Sequence, residues 1–441
     1  MPAPRPRISD HLAVLWLLLR TIAGVVPFVL HVLISPVATP IARRRLERIL
    51  SAEPRAPIEP PSPDPAAWAG KTLFVSAGEP SGDRLAARVV EAIRARAPGI
   101  SVRGYAGPQT AEAGASLDRS IVEHAVVGFV AVARSLGTWW RLCAEARAIF
   151  RDDPPDVVLT VDFPGLNLRI ARWARRRGIR VVHLVAPQTW AWAPWRTARL
   201  ARAVDLLLVT FPFEEPVFRS AEVSAAYVGH PLFEAPLPPP LSPETLPEGD
   251  LVVELRPGSR AKEVRRQGPI VLDAAARLEE RVPAARFLVR LASAQSEAVF
   301  REVLAKAPRV PRRLEIRVGP GPEGLSLAAA LSTSGTSTAE LAASQVPMVV
   351  FYRVSFLGRV GAALLVTTPF IAMANLLAGR ALVTERLVSA RGGRVLADDL
   401  AALLGDPARW RAVRDGLGEV RARLAREGVA DRVARAVLAP D

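Results

Sequence analysis

The sequence predicts an α/β protein made of two successive doubly wound, parallel-sheet domains of Rossmann-like type, preceded by a hydrophobic helical segment. Three observations carry this expectation. Short apolar runs alternate with longer amphipathic ones, as strands and covering helices do. The alternation stops at a proline-dense stretch, residues 230–250, and then restarts. The chain of 441 residues also exceeds what one core usually supports.

From the N-terminus, residues 1–50 read as a membrane-anchor segment. Between Leu12 and Ala42 the only ionisable side chains are Arg20 and His31. A span needs about 20 apolar residues, so the stretch is long enough. Arg20, Pro27 and Pro36 interrupt it, which leaves an interfacial hairpin open beside a spanning helix. Arg43, Arg44, Arg45 and Arg48 follow it, against Arg5 and Arg7 in front, and this bias predicts that everything after residue 43 stays in the cytoplasm. Residues 51–70, with "PRAPIEPPSPDP", read as a stiff, disordered linker.

The first doubly wound domain is expected over 71–235. "TLFVS" at 72–76 is bounded like a buried strand, and Leu85, Val89 and Ile93 mark one face of the helix after it. "PDVVLTVD" at 155–162 is a second strand, followed by an arginine-rich helix that stops at Gly178; "IRVVHLV" and "DLLLVT" continue the sheet. The second domain is expected over 248–405, with "LVVEL" at 251–255, a helix to about Val282, "ARFLVRL", "LEIRV", a glycine-rich loop and "PMVVFYRV". Residues 406–441 are helical and expected to pack back on the first domain. The uncharged stretch 360–379 reads either as a core helix or as an element dipping into a membrane.

A net charge of +15 asks for an anionic partner, such as phosphorylated substrate, anionic lipid or nucleic acid. No zinc finger, recognition-helix pattern or RNA-binding signature is present, so nucleic acid is not expected. Cys143 is the single cysteine, which leaves no disulfide framework and no cysteine metal cluster and fits a reducing compartment.

Five stretches could carry chemistry. "LRPGSRAKE" at 255–263 follows a strand, with Ser259 as a helix cap and Arg260 in the first turn; its N–H groups and guanidinium suit a phosphate. "STSGTSTAELAAS" at 332–344 opens another helix, where Ser334, Gly335 and Thr336 offer backbone N–H groups and Glu340 could accept ribose hydroxyls. "AGEPSGD" lacks a dinucleotide glycine pattern and carries Glu79 and Asp83, which suit hydroxyl recognition or acid–base work; Asp83 as a plain helix cap is the alternative. Asp162 in "VDFPGLN" ends a strand, where open α/β sheets bind ligands, and is either a general base or a turn initiator. "APQTWAWAPWR" brings Trp190, Trp192 and Trp195 close to Arg196, as core packing or as a platform for sugar or acyl chain.

Nine stretches in order, "SAGEPSGD", "PDVVLTVDFPGLN", "TWAW", "PFE", "VGHPL", "PGSRAKE", "SGTSTAE", "PMVVFYRV" and "NLLAGR", make the chain resemble the lipid-A-disaccharide synthases, inverting glycosyltransferases of the two-lobed GT-B type. The resemblance runs from about Lys71 to at least Arg380. It implies transfer from UDP-2,3-diacylglucosamine to 2,3-diacylglucosamine 1-phosphate, with a β-1,6 disaccharide and UDP as products and no metal or cofactor. It implies Asp162 as the catalytic base, with Glu79 and Asp83 beside it, and Ser81, Gly82, Asn167, Trp190 and Trp192 on the acceptor. Ser259, Arg260, Ser334, Gly335, Thr336, Glu340 and Asn375 would hold the UDP-sugar. The implied place of work is the cytoplasmic face of the inner membrane, against its lipid. The chain departs from the family pattern at Gly165, where a second acid is usual, at "APQ" and at "VTE".

Overall fold

A computed structural model describes residues 6–23, 25–53, 55–122, 129–234, 239–319 and 325–439. Expectations on the glycine-rich loop at 320–324 and on 235–238 of the proline-dense stretch lie outside the described residues. The chain forms two compact units: Met1–Ala42, Pro54–Pro231 and Arg426–Asp441 make the first, Arg43–Glu53 and Leu232–Ala425 the second.

The first unit begins with α1 (Ile8–Ala23) and most of α2 (Val25–Leu50). Then come β1 (Thr72–Ala77), α3 (Pro80–Arg96), β2 (Ser101–Ala106), α4 (Pro108–Glu112), β3 (Ser116–Ser120), α5 (Phe129–Asp152), β4 (Val157–Val161), α6 (Pro164–Arg175) and β5 (Arg180–Leu184). It continues through α7 (Thr189–Trp192), α8 (Ala198–Ala201), β6 (Leu206–Val209), α9 (Glu214–Arg219) and β7 (Ala225–Tyr227). The described strands form one parallel sheet in the order β3-β2-β1-β4-β5-β6-β7. β1 and β4 are almost wholly apolar because helices cover both faces. Proline opens α3 and α6, where a missing N–H costs nothing.

The second unit runs β8 (Leu251–Arg256), α10 (Ala261–Arg281), β9 (Ala285–Leu291), α11 (Ala294–Lys306), β10 (Leu314–Val318), β11 (Ala329–Thr333), α12 (Thr336–Ala343) and β12 (Met348–Arg353). α13 (Phe356–Leu365), α14 (Met373–Ala378), β13 (Thr384–Val388), α15 (Gly393–Leu404) and α16 (Pro407–Leu424) complete it. Its parallel sheet has the order β10-β9-β8-β11-β12-β13. The last helix, α17 (Val429–Leu438), belongs to the first unit and packs on α3, with Val433 and Val437 in that core.

Both sheets run outward in opposite directions from a central pair, β1 and β4 in one, β8 and β11 in the other. Such reversal points open a crevice at the carboxyl ends of the strands, because the two following turns lead to opposite faces. The register aligns Ala77 with Val161 and Arg256 with Ser332. The turns that carry Glu79 and Asp162 are therefore neighbours, and so are those that carry Arg260 and Ser334.

Three expectations change. Among the described residues no helix is long and apolar enough to cross a membrane; the hydrophobic segment is divided between α1 and α2. The 51–70 stretch is fastened rather than loose. Glu59 pairs with Arg435 at 2.7 Å and Arg432 at 3.4 Å, the Ile58 N–H donates to the Tyr227 carbonyl, and the Trp68 indole donates to the Leu438 carbonyl at 3.0 Å. Stiff proline-rich backbone has little entropy to lose, so few contacts hold it. Residues 360–379 are not one helix: α13 ends at Leu365 and α14 starts at Met373, with Pro369 between.

Candidate active site

In the first unit the turn after β4 is strained. Asp162 and Phe163 both lie in the left-handed region, at φ 48° and 50°, which side chains with a Cβ rarely adopt. Asn167 holds this turn. It is fully buried, accepts from the Ser76 hydroxyl at 2.7 Å, and donates to the carbonyls of Ser76, Val161 and Asp162 at 3.1, 3.0 and 2.8 Å. One amide side chain thus ties the ends of β1 and β4 together. The Phe163 ring lies against Gly78, where a Cβ would come within 2.2 Å of it, and against Trp139 at 5.1 Å between ring centroids. Glycine at 78 is required by that approach.

Asp162 is half-buried at the top of β4, and its N–H donates to the Leu184 carbonyl at 2.8 Å. Glu79 is half-buried at the cap of α3 but makes no cap bond to that helix. Ser81 is exposed in the first turn, and Gly82 is buried close to the Val161 carbonyl. Asp83 is placed differently from expectation. It is buried and turned to the start of α4, accepting from the N–H groups of Gly107 (2.8 Å), Gln109 (3.1 Å) and Thr110 (3.2 Å) and from the Thr110 hydroxyl (2.6 Å). It caps a helix, though not its own.

Of the tryptophans, Trp190 is buried edge-on against Phe213 at 5.0 Å and donates its indole N–H to Glu214 at 3.2 Å. Trp192 is exposed, with the Arg196 guanidinium 5.6 Å from its ring. Burial pushes the Glu214 carboxyl up to about 7, against the pull of the Phe211 N–H and the Trp190 indole. The fold therefore favours the protonated acid, and this stabilisation is present below the ordinary value of 4.5 and lost as pH rises through about 7. Thermal unfolding across about pH 5 to about pH 8 is expected to show wild type losing stability relative to Glu214→Gln. A constant difference would remove Glu214 as the titrating group.

In the second unit, Gly258 has φ 120° in the turn after β8, and a Cβ there would come within 2.6 Å of the Glu263 Cβ. Glu263 then accepts from the N–H groups of Ser259 (3.1 Å) and Arg260 (3.4 Å) and pairs with the Arg260 guanidinium at 3.2 Å. Arg260 is exposed at the start of α10. Across the crevice, Gly335 at φ 152° leads into α12, whose first residue is Thr336, and the Ser334 hydroxyl donates to the Ile371 carbonyl. Glu340 is exposed on α12 and pairs with Arg256 at 2.7 Å.

Arg256 also pairs with Glu254 at 3.1 Å, and Arg290 pairs with Glu254 as well. Glu254 is fully buried in β8, so the two arginines are held on a fixed charge. Sequence reasoning passed over Glu254, Arg256 and Glu263; the acid inside "LVVELR" was the available signal. Asn375 is a buried clamp: its carbonyl accepts from the Leu382 and Val383 N–H groups, each at 2.8 Å, and its amide donates to the Val383 carbonyl at 3.0 Å. Glu385, of "VTE", accepts from Ile371 and Ala372 at the head of α14, and burial raises its carboxyl.

Two parallel-sheet units, each with polar turns at its reversal point, make up the GT-B class of fold. The crystal structure of the glycotransferase of kitacinnamycin shares this fold, with a TM-score of 0.53 and 17% identity over 84% of this chain and 100% of that one. A model of the lipid-A-disaccharide synthetase family matches residues 73–423. The lipid-A-disaccharide synthase of Anaeromyxobacter dehalogenans (strain 2CP-C) is 37% identical over 379 residues, 83% of this chain and 96% of the relative. That of Syntrophus aciditrophicus (strain SB) is 34% identical over 370 residues, 82% and 96%. The chain belongs to the lipid-A-disaccharide synthetase family and is a glycosyltransferase of lipid A disaccharide synthesis.

Proposed function

We propose that the enzyme transfers 2,3-diacylglucosamine from its UDP derivative to 2,3-diacylglucosamine 1-phosphate, with inversion, at the cytoplasmic face of the inner membrane. The products are the β-1,6-linked disaccharide 1-phosphate and UDP. The observation that carries this reading is the strained Asp162–Phe163 turn clamped by Asn167 at the end of β4. Strain of that kind persists where surroundings over-determine it, which is common at reacting groups.

In this reading Asp162 takes the proton of the acceptor's 6-hydroxyl as its oxygen attacks the anomeric carbon, and the bond to the diphosphate breaks. Glu79 and Ser81 bind acceptor hydroxyls. Asn167 and Asp83 are positioning residues, the first for Asp162 and the second for α4. The diphosphate binds the Ser259 and Arg260 N–H groups and the Arg260 guanidinium, which Glu263 orients. The N–H groups at the start of α12 add positive potential as negative charge grows on the leaving group. Glu340 and Ser334 meet the nucleoside, and Asn375 shapes the loop behind them.

The test is turnover of purified protein with the two diacylated substrates, read as UDP release and as the mass of the lipid product. A disaccharide 1-phosphate of the summed mass, less UDP, is the expected product. Release of UDP only with some other sugar acceptor would replace this substrate pair while keeping the transferase chemistry.

A further inference from the structure

Over residues 8–15 of α1 and 32–41 of α2, the amphipathic pattern is the wrong way round for a water-facing surface. On α1 the residues turned inward are Asp10 and Val14, while Ile8, Leu12 and Leu15 are exposed at 80%, 59% and 45%. Asp10 is held in place. It accepts from Arg147 at 3.1 Å, from Arg151 and from the Arg7 N–H at 2.8 Å, and the Trp140 indole donates to the neighbouring His11 at 2.7 Å. Arg147, Arg151 and Trp140 lie on α5, so a polar seam docks α1 and its apolar face points out. α2 repeats the inversion: Ser35 and Thr39 are buried, while Leu33, Ile34, Val37 and Ile41 are exposed.

A helix gains nothing in water by burying its acid and serine and showing its leucines. Each large apolar side chain left in water forgoes transfer free energy that an apolar medium would supply. Two such stripes in one unit call for an apolar medium, and the charge pattern selects which. Arg44 and Arg48 are exposed on α2 just after Ile41, and Arg43 and Arg45 stand among them. An apolar stripe that runs into a basic turn matches the boundary between acyl chains and anionic headgroups. Spanning is a poor fit, since α1 has 16 residues, about 24 Å of helix against about 30 Å of hydrocarbon.

We propose that α1 and α2 form an in-plane hairpin that seats the chain on an anionic lipid surface, with Ile8, Leu12, Leu15, Leu33, Val37 and Ile41 in the acyl boundary and Arg44 and Arg48 on headgroups. The hairpin precedes the residues matched by the family, 73–423. The inference rests on the membrane location proposed above and not on the sugar chemistry.

The experiment is flotation of the full chain with phosphatidylglycerol–phosphatidylcholine vesicles and with phosphatidylcholine alone. Wild type is expected to bind the anionic vesicles and to be released by alkaline carbonate, as a surface-lying hairpin is. Leu12→Glu combined with Val37→Glu is expected to raise the lipid concentration for half-binding at least about tenfold. The Arg44→Glu, Arg48→Glu pair should erase the preference for anionic vesicles. Circular dichroism and UDP release from detergent-dispersed substrates should be unchanged in both, because the changed side chains are exposed. Vesicle binding by the Leu12, Val37 variant equal to wild type overturns the hairpin while leaving membrane location standing. Wild type that binds no vesicle overturns that location itself. Resistance to carbonate, or a dimer in lipid-free buffer broken by the same variant, also overturns the proposal, in favour of insertion or of a second copy on this face.

Discussion

Asp162→Asn is expected to lower turnover by about 10²- to 10⁴-fold while UDP binding stays as in wild type, because a positioned base is worth about that factor. Asparagine suits the test for two reasons. It matches the carboxylate in size, and it tolerates left-handed backbone, so the turn at φ 48° is kept. In the proposed reading UDP affinity reports the second unit, where Ser259, Arg260 and the start of α12 are untouched. Single-turnover rates and UDP titration calorimetry of both proteins decide the matter. Turnover equal to wild type would remove Asp162 from the proton transfer and make Glu79, on the neighbouring turn, the next base to change.

Asp83→Ala should do the opposite, harming the fold more than the reaction. The carboxylate satisfies three backbone N–H groups and one hydroxyl at the start of α4, all in buried surroundings. Leaving such donors without an acceptor costs about 1–3 kcal/mol each before water enters, and about 3 kcal/mol in total is expected. At about 2–4 °C per kcal/mol, the melting temperature falls by roughly 6–12 °C. Asp83→Asn keeps one accepting oxygen and should lose less. Gly107 also meets this carboxylate, since a Cβ there would lie 2.4 Å from Asp83 Oδ2. An unchanged melting temperature with lost turnover would return Asp83 to the chemistry.

The fold was legible because buried parallel strands announce themselves. "TLFVS", "DVVLTV" and "LVVEL" are apolar runs too short for helices, each leading into a helix with its own apolar face. The places of Glu79, Asp162, Arg260 and Ser334 were legible for a related reason: each ends or follows a strand, and strand ends converge once the order is known. What individual side chains do there was not legible. Asp83, Asn167 and Asn375 sit in motifs that look like ligand contacts, yet their hydrogen bonds go to groups within the protein, Asp83 to the start of α4, Asn167 to Ser76 and the end of β4, and Asn375 to Leu382 and Val383, and the motifs themselves carry no such information. The pairing of Glu254 with Arg256 and Arg290 was hidden in the same way, because Arg290 comes from the next strand of the sheet. Over residues 12–42 hydropathy alone leaves a spanning helix and an interfacial hairpin both open, because it counts leucines without saying which way they face; among the described residues no helix is long and apolar enough to cross a membrane.

The position of α17 has a consequence for synthesis. Val433, Val437 and Leu438 complete the core around α3 and β1, although the other strands of that core all lie before residue 231. A ribosome delivers the whole of residues 232–425 before it delivers this helix. The middle of the message is therefore free to become native first, and the beginning must wait, partly covered, for its final turn of protein. Nascent chains halted near residue 425 should expose the α3 surface to chaperones or proteases, and chains halted later should not.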